Sequence, residues 1–266
     1  MVKQIHKSWL IAVTCAALMN VFSDRQAGAA VLNLTPTGLQ SGSLNGAFFQ
    51  EIDPNNPAGT GVLDSFVRLQ SPGNSTTEQG YNTGGRPLQF DENNSPQFTR
   101  SLKLTDVPIV TIGGIAYRQF VLDINEPNAT RQDPSKPLID LNQLQIFLGN
   151  AGNLLNYPTF GGNAVKIFDL DSNGDNTVKL FDSNAGSGRA DLLTYIPDSL
   201  FAASTNPYVY LYSQFSGAEG GFEEWAVQTV EKPPTQKVPE PGTFAGLGLV
   251  AGTMAIARRR KSNRTA

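Results

Sequence analysis

The sequence predicts an all-β fold, a single β-sandwich or jelly-roll-like domain over residues 31–231. Three observations lead to this class. Short runs rich in β-branched and aromatic residues recur along the chain, clusters of Gly, Pro and Asn separate them, and no segment keeps a helical 3.6-residue period beyond a turn or two. A length of about 200 residues suits one sandwich or barrel domain.

The segments with strand composition are separated by turn formers such as Asp53-Pro54-Asn55-Asn56-Pro57, Gly84-Gly85 and Gly161-Gly162. A short helix is expected only at Pro197 to Ala203. No internal repeat is present. The predicted strands are Gly61 to Leu69, Phe98 to Leu104, Ile109 to Ile112, Tyr117 to Ile124, Leu144 to Leu148, Val165 to Leu170, Thr177 to Phe181, Tyr208 to Tyr212 and Phe222 to Val230.

The first 30 residues have the three regions of a secretory signal peptide in the right order. Lys3, His6 and Lys7 give a positive start, a short apolar stretch follows, and Ala27-Gly28-Ala29-Ala30 supplies the small residues that signal peptidase requires. Cleavage is expected after Ala29 or Ala30, so the mature domain begins near Val31.

The C-terminus carries a second targeting signal. A polar, Pro-rich linker over residues 232–238 precedes Pro239-Glu240-Pro241, an apolar run of 16 residues follows from Gly242 to Ala257, and Arg258-Arg259-Arg260-Lys261 closes it. The run is shorter than the roughly 20 residues that usually cross a bilayer core, but arginine snorkelling and local thinning can close such a gap. The positive-inside rule keeps the basic cluster cytoplasmic.

This three-part arrangement over residues 239–261 resembles the PEP-CTERM sorting tail: the Pro239-Glu240-Pro241 motif, one short hydrophobic helix and an Arg-rich end. The resemblance implies processing by an exosortase, transient anchoring in the inner membrane, and a final place at the cell surface or outside the cell. Such proteins generally accompany exopolysaccharide production. The body of the chain also resembles exported cyanobacterial β-domains that precede such tails.

The composition of the mature domain excludes several kinds of chemistry. The only Cys, the only His and all three Met lie in the two terminal signals, so residues 31–238 contain no thiol, imidazole or thioether. Disulfides, Cys or His nucleophile–base pairs and ordinary zinc sites are therefore excluded. The same span holds 21 acidic and 12 basic residues, a net charge of −9. An acidic surface repels nucleic acid phosphates, so nucleic acid is not expected as a partner.

The segment Asp169-Leu170-Asp171-Ser172-Asn173-Gly174-Asp175 matches the first half of a calcium loop. Oxygen-bearing side chains stand at positions 1, 3 and 5 and Gly at position 6. Leu180 stands where an EF-hand has its bidentate Glu, so an EF-hand is rejected. Two interpretations stay open. The segment is a plain hairpin turning at Asn173-Gly174, or it is a hairpin tip that binds calcium through Asp169, Asp171, Asn173 and Asp175, with Asp182 completing the site.

The segment Pro207 to Tyr212 alternates tyrosine with aliphatic residues. Strand geometry places Tyr208, Tyr210 and Tyr212 on one face and Val209 with Leu211 on the other. If the aliphatic face is core, the rings form an exposed platform of the kind that stacks on sugars. The other interpretation is that the rings are packed, either in a strand buried on both faces or against loops.

Two doublets, Asp91-Glu92 and Glu223-Glu224, supply neighbouring carboxylates. Glycosidases need a carboxylate pair about 5 to 10 Å apart, but adjacent residues on a strand point to opposite faces. The sequence therefore favours a non-catalytic structural or adhesive protein of the cell surface or exopolysaccharide matrix. A calcium-assisted carbohydrate-binding module is the second hypothesis, and a carboxylate-based glycosidase is the third.

Overall fold

The computed structural model describes residues 28–53, 63–126, 138–183, 188–219 and 221–227. They form a nearly all-β structure with two sheets, so the predicted all-β class is confirmed, and the predicted helix is present as α1. The strands are β1 (Val31–Asn33), β2 (Ser41–Leu44), β3 (Ala47–Glu51), β4 (Ser65–Leu69), β5 (Thr77–Tyr81), β6 (Leu102–Lys103), β7 (Ile109–Ile112), β8 (Ile115–Asn125), β9 (Ile139–Gly149), β10 (Ala164–Asp169), β11 (Thr177–Leu180), β12 (Leu192–Pro197), β13 (Tyr208–Ser216) and β14 (Phe222–Ala226); α1 is Asp198–Phe201, and 3-10 turns cover Leu104–Asp106 and Phe160–Gly162.

The strands form two sheets. The first sheet has the order β1-β11-β9-β13-β5, with β10 paired to β9 and β6 paired to β13. The second sheet has the order β2-β3-β12-β8-β14-β4, with β7 paired to β8. Within the described residues, β1 and β11 pair in parallel and the other pairs are antiparallel.

Both sheets contribute side chains to one hydrophobic core. Phe66 of β4 and Trp225 of β14 enter it from the second sheet, and Val209 and Leu211 of β13 enter it from the first. All four are fully buried. The Trp225 indole Nε1 donates to the Ser213 Oγ of β13 at 3.0 Å, a buried bond that joins the two sheets and satisfies the polar edge of the ring.

The predicted hairpin around Asn173-Gly174 is wrong. β10 and β11 do not pair with each other; both pair with β9, β10 along Gln145–Gly149 and β11 along Ile139–Leu141. The two strands are collinear on the same side of β9, so they form one strand interrupted by the loop 170–176, and β1 pairs with the other side of β11. The alternation of apolar and polar residues on each side of the loop is the same for a hairpin and for an interrupted strand. Only the identity of the partner strand distinguishes the two.

A type I′ hairpin signal that the strand prediction missed lies at Asn45-Gly46. Both residues have positive φ, 46° and 85°, and they join β2 to β3 in a two-residue loop. Gly113-Gly114 joins β7 to β8 in the same way, with φ of 57° and 84°. β1, β2, β3, β5 and β12 were not predicted. β2 (Ser-Gly-Ser-Leu) and β5 (Thr-Glu-Gln-Gly-Tyr) lack the composition of a strand, whereas β12 (Leu-Leu-Thr-Tyr-Ile-Pro) has it and is buried on both faces.

The Asn45 side chain links this hairpin to the interrupted strand. Its Nδ2 lies 2.6 Å from the Asp169 carbonyl oxygen, 3.0 Å from that of Leu170 and 2.7 Å from the Ser172 Oγ. The amide therefore satisfies carbonyl groups at the point where β10 leaves the sheet. Asn suits the position because it tolerates positive φ and also carries a donor.

We expect Asn45→Gly to lower the free energy of unfolding by about 1–2 kcal/mol, because it keeps the permissive backbone and removes the side-chain hydrogen bonds. Asn45→Ala should cost about 1 kcal/mol more, since a Cβ at positive φ is strained. Urea unfolding of both variants separates the two effects. If the free energy of unfolding of Asn45→Gly equals that of the wild type, the amide does not stabilise the loop.

Candidate functional site

The tyrosine strand β13 has the predicted alternation. Val209 and Leu211 lie in the core between the sheets, and Tyr208, Tyr210 and Tyr212 lie on the outer face of the first sheet. The interpretation in which the aliphatic face is core is therefore the right one for this strand.

The outer face is nevertheless covered, so an exposed tyrosine platform is wrong for two of the three rings. Tyr210 and Tyr212 are 1% and 3% exposed. Tyr157 stacks on Tyr212 with ring centroids 4.1 Å apart, and Phe160 lies 4.9 Å from Tyr210. The rings belong to an aromatic cluster completed by Tyr81 and Phe147 and flanked by Phe90, Leu154, Ala164 and Tyr208.

The hydroxyl groups of the covered rings are also used inside the cluster. The Tyr210 Oη donates to the Ala151 carbonyl and accepts from the Leu154 N–H at 2.9 Å. The Tyr212 Oη donates to the Gln79 Oε1 at 2.7 Å. Burial raises the pKa of Tyr210 and of Tyr212 to about 12. These phenols stay neutral. The Tyr210 hydroxyl fastens the covering loop to the sheet and the Tyr212 hydroxyl bonds to Gln79 of β5, so a glycan cannot reach them.

Tyr208 differs from its neighbours because it is only half-buried and lines a cleft of about 600 Å³. Lys103, its cross-strand neighbour on β6, lies on the same face and is exposed. A Cβ added at Gly152 would come within 2.7 Å of the Tyr208 ring, so glycine permits the ring to lie against this loop. The cleft is lined by Lys103, Leu104, Thr105, Arg118, Ser204, Thr205, Asn206, Pro207 and Tyr208.

Arg118 supplies a fixed cation at the wall of this cleft. Its Nε donates to the Asp198 Oδ1 at 2.6 Å, and its Nη1 donates to the carbonyls of Leu104 and Val107 at 3.0 and 2.9 Å. The Lys103 ammonium has no ion pair with any described residue. The cleft therefore combines one aromatic ring with hydroxyl, amide and cationic groups, a combination that suits the hydroxyl-rich and apolar faces of a sugar.

Of the predicted calcium residues, Asp169 ends β10, and Asp171, Asn173 and Asp175 lie in the loop that separates β10 from β11. The Asp169 carboxylate pairs with the Lys166 ammonium and accepts from the Gln145 Nε2 at 3.1 Å. The Asp171 Oδ1 accepts from the Asn176 N–H at 2.8 Å, and the Asn173 Oδ1 accepts from the Asn176 Nδ2 at 2.8 Å. The loop is thus organised by hydrogen bonds and one ion pair.

Among the described residues, no group of three or more acidic side chains is arranged to hold a metal ion. Burial raises the pKa of Asp171, which favours its protonated form. Lys166 lies against Asp169 and supplies a cation beside the loop. Calcium binding here stays a prediction.

The two carboxylate doublets have separate structural roles. Glu224 points outward and forms an ion pair with Arg68, Nε to Oε1 at 2.8 Å, whereas Glu223 points toward the core and is fully buried. Asp91 accepts from the Gln79 N–H at 3.0 Å, and Glu92 accepts from the Tyr81 N–H at 3.0 Å. The Asp91-Glu92 doublet therefore satisfies backbone groups of β5.

A buried carboxyl cluster joins the two sheets, and sequence reasoning missed it. Glu78 on β5, Glu223 on β14 and Glu126 just after β8 are 1%, 0% and 5% exposed. The Glu223 carboxyl lies against the carboxyls of Glu78 and Glu126. Burial raises the pKa of Glu78 from 4.5 to about 7, and burial together with these carboxyl neighbours raises the pKa of Glu223 well above its usual range. The raised pKa favours the protonated form of Glu223.

A second set of buried acids fixes the segment before β12. The Asp191 Oδ2 accepts from the Ile124 N–H at 2.9 Å and its Oδ1 accepts from the Ser183 N–H at 2.8 Å. The Asp123 Oδ2 accepts from the Gly188 N–H at 2.7 Å. Burial raises the pKa of Asp123 to about 7. No local pattern marks these residues, because each satisfies backbone groups that are distant in sequence.

Comparison with known families finds one match, at the C-terminus. Residues 237–261 match the PEP-CTERM protein-sorting motif. The chain carries an exosortase sorting signal. This motif implies an exported protein that passes through the membrane and is sorted by an exosortase. The PEP-CTERM resemblance inferred from Pro239-Glu240-Pro241 and the Arg-rich end is confirmed.

The PEP-CTERM match covers the tail alone. No curated protein and no solved structure matches the chain. Within the described residues, no helix has the length and apolar character to cross a membrane. Residues 1–27 of the predicted signal peptide, the linker and the sorting helix lie outside the described residues.

The carboxyl cluster predicts that the protein is most stable in mild acid. A carboxyl whose pKa is raised on folding stabilises the native state fully below its unfolded pKa and loses that contribution as pH rises through the folded pKa. For Glu78 this window runs from pH 4.5 to about 7. We therefore expect the melting temperature to fall across this window.

Glu223→Gln should raise the melting temperature at the upper end of the window and flatten its pH dependence, because the amide stays neutral and still donates. The expected gain in the free energy of unfolding is about 1–2 kcal/mol, which corresponds to one pKa unit or slightly more. The melting temperature should then rise by about 2–8 °C. Thermal melts at both ends of the window test this, with the exposed Asp106→Asn as control. A melting temperature that rises with pH in the wild type would contradict the assignment.

Proposed function

We propose that this protein is an exported, non-catalytic component of the cell surface or exopolysaccharide matrix, with a structural or adhesive role. The sorting motif at residues 237–261 carries the proposal, because it directs the domain out of the cell. Proteins with such tails generally accompany exopolysaccharide production, so a polysaccharide is the partner that the resemblance favours. Two sheets that share one core support the sandwich arrangement of the exported domain.

The cleft beside Tyr208 is the proposed contact with the polysaccharide. Tyr210 and Tyr212 are covered, which leaves Tyr208 as the accessible ring of the strand. The hydroxyl and amide groups around it offer the donors and acceptors that sugar hydroxyls require, and Arg118 and Lys103 add charged donors. A small contact of this kind binds weakly to one sugar and gains strength when many copies meet a repeating polymer.

The positions of the buried carboxylates support a non-catalytic role. Glu78 and Glu223 form the carboxyl pair that the topology brings together across the sheets, yet both are at most 1% exposed. Glycoside hydrolysis needs its two carboxylates to flank an accessible glycosidic bond. Glu224 and Glu92 are engaged with Arg68 and with backbone N–H groups.

We expect Tyr208→Ala to weaken binding to the host's own exopolysaccharide by about tenfold, the loss of one stacked ring. Tyr208→Phe should bind like the wild type because it keeps the ring. Tyr117→Ala, which removes a half-buried tyrosine from the second sheet, serves as the control for folding. Co-sedimentation of the secreted protein with the polysaccharide measures all three variants.

The same experiment separates the other two hypotheses. Binding that requires calcium and is lost in Asp171→Ala would replace the proposal with the calcium-assisted module. Release of reducing sugar from the polysaccharide would replace it with the glycosidase. Equal binding by wild type and Tyr208→Ala would place the contact outside the cleft.

Sorting by an exosortase also predicts the end of the mature chain. Mass spectrometry of the released protein should find a C-terminus close to Pro239-Glu240-Pro241, because the enzyme is expected to cut near this motif. Deletion of the host's exosortase should leave the unprocessed chain in the membrane fraction. A released protein that still carries Arg258 to Lys261 would show that the tail is a plain anchor.

A further inference from the structure

The residues around the expected signal-peptide cut lie against the loop between β10 and β11. The Ala30 N–H donates to the Asn176 Oδ1 at 3.1 Å, and the Ala30 carbonyl accepts from the Thr177 N–H at 2.9 Å. Gly28 approaches Gly174 so closely that a Cβ added at Gly174 would come within 2.7 Å of the Gly28 carbonyl oxygen. The start of the predicted mature domain is therefore bound to this loop.

Asn176 connects the loop to the start of the domain. It is 1% exposed, and its Nδ2 donates to the Leu170 carbonyl at 2.6 Å and to the Asn173 Oδ1 at 2.8 Å. Its N–H donates to the Asp171 Oδ1 at 2.8 Å. Among the described residues, the Ala30 N–H is the donor from which the Asn176 Oδ1 accepts. A chain without Ala30 would leave this buried oxygen without that donor, which costs stability.

Ala30 also begins the ladder that holds β1. β1 has three residues and pairs in parallel with β11. The Ala30–Thr177 bond precedes β1, and the Leu34 N–H donates to the Lys179 carbonyl at 3.0 Å just after it. Leu34 is fully buried in the core between the sheets. A strand this short has few main-chain bonds, so the loss of the bond at its start weakens a large part of its pairing.

The two expected cleavage products differ in these contacts. Cleavage after Ala29 leaves Ala30 as the first residue and keeps both of its bonds, whereas cleavage after Ala30 removes the residue that makes them. The fold does not direct the peptidase, but it shows which product keeps its contacts complete. The sequence favours the same product, because Ala27-Gly28-Ala29 has the Ala-x-Ala pattern of a cleavage site.

We infer that the mature chain begins at Ala30 and that Asn176 binds its new α-ammonium group. Hydrolysis of the Ala29–Ala30 bond consumes one water: Ala29 leaves with the signal peptide as a carboxylate, and the Ala30 nitrogen becomes a free amine. This amine takes up a proton at neutral pH, because an α-amino group has a pKa of about 8. A charged donor strengthens the hydrogen bond to the Asn176 Oδ1.

The charges of the loop favour a cation at this place. Lys166 pairs with Asp169, whereas Asp171 and Asp175 have no ion pair with any described residue. Asp171 is bonded to the N–H of the same Asn176 that binds the start of the chain. The new ammonium therefore adds a positive charge beside unpaired carboxylates. The inference rests on the predicted signal peptide and is independent of the proposed function.

Two measurements on the secreted wild-type protein test the inference without any variant. Mass spectrometry should find Ala30 as the first residue. Hydrogen exchange should find the Thr177 amide protected, because the Ala30 carbonyl accepts from it. A mature chain that begins at Val31 or at any other residue would overturn the inference, and so would a Thr177 amide that exchanges freely.

Deletion of Ala30 tests the contribution of its two hydrogen bonds. The deletion places Val31 directly after Ala29, so the exported product begins at Val31 and has an unchanged net charge. Its melting temperature should lie about 2–8 °C below that of the wild type, because two hydrogen bonds are lost. Ala30→Ser is the matched control and should melt like the wild type, since it keeps the main-chain donor and acceptor. A deletion product that melts like the wild type would overturn the inference.

Insertion of Gly-Ser between Ala29 and Ala30 separates the charge from the hydrogen bonds. The inserted chain keeps both bonds of Ala30, but the nitrogen is again an uncharged amide. At low salt its melting temperature should lie between those of the wild type and the deletion product. High salt should bring it close to the wild type, because salt screens exposed charges. Equal melting of the inserted chain and the wild type at low salt would show that the ammonium adds nothing and would overturn its assignment.

Discussion

The pairing of β13 with β9 positions most of the features described above. β13 pairs with β9 from Tyr208 to Ser216, and this ladder commits one face of β13 to the core and the other to the outer surface of the first sheet. On the inner face, Val209 and Leu211 pack with side chains of the second sheet, and Ser213 accepts the indole hydrogen bond of Trp225. A shift of one residue in this ladder would exchange the two faces and send three tyrosines into an aliphatic core.

The outer face of the same ladder shows how a sheet can bury both of its sides without helices. The loop 150–163 folds back over the tyrosines, and Tyr157 and Phe160 fill the spaces between them. The ring contacts give apolar burial. The Tyr210 hydroxyl bonds to the loop backbone and the Tyr212 hydroxyl bonds to Gln79 of β5, so these buried phenols are not left without a partner. Tyr208 stands at the end of this arrangement, where the loop no longer covers the strand, and the cleft begins there.

The acidic side chains of the domain are accommodated in two ways. Several carboxylates are used as acceptors for backbone N–H groups or as partners of arginine, as with Asp191 and Glu224. The three glutamates between the sheets lie against one another instead, although Glu126 also accepts from the Glu219 N–H at 2.6 Å, and burial raises the pKa of all three. Burying a carboxyl in its neutral form costs far less than burying the anion. The domain therefore links its folding to mild acidity through residues that no local pattern singles out.

By itself, the sequence determined the targeting signal of the C-terminus, the all-β class and the alternation of faces within single strands. These properties depend on residues that are close in the chain: the Pro-Glu-Pro motif with its basic end, the frequency of β-branched residues, and the period of two along β13. The opposite orientations of Glu223 and Glu224 follow from the same period.

Tertiary structure alone decided which partner each strand has and what covers each face. The repeated strand pattern around Asn173-Gly174 suits a hairpin as well as an interrupted strand, and pairing with β9 chose the latter. Covering of Tyr210 and Tyr212 required a loop more than fifty residues away in sequence. The meeting of Glu78 with Glu223 required both sheets, because burial and contact between distant residues are properties of packing and leave no periodic signal in the chain.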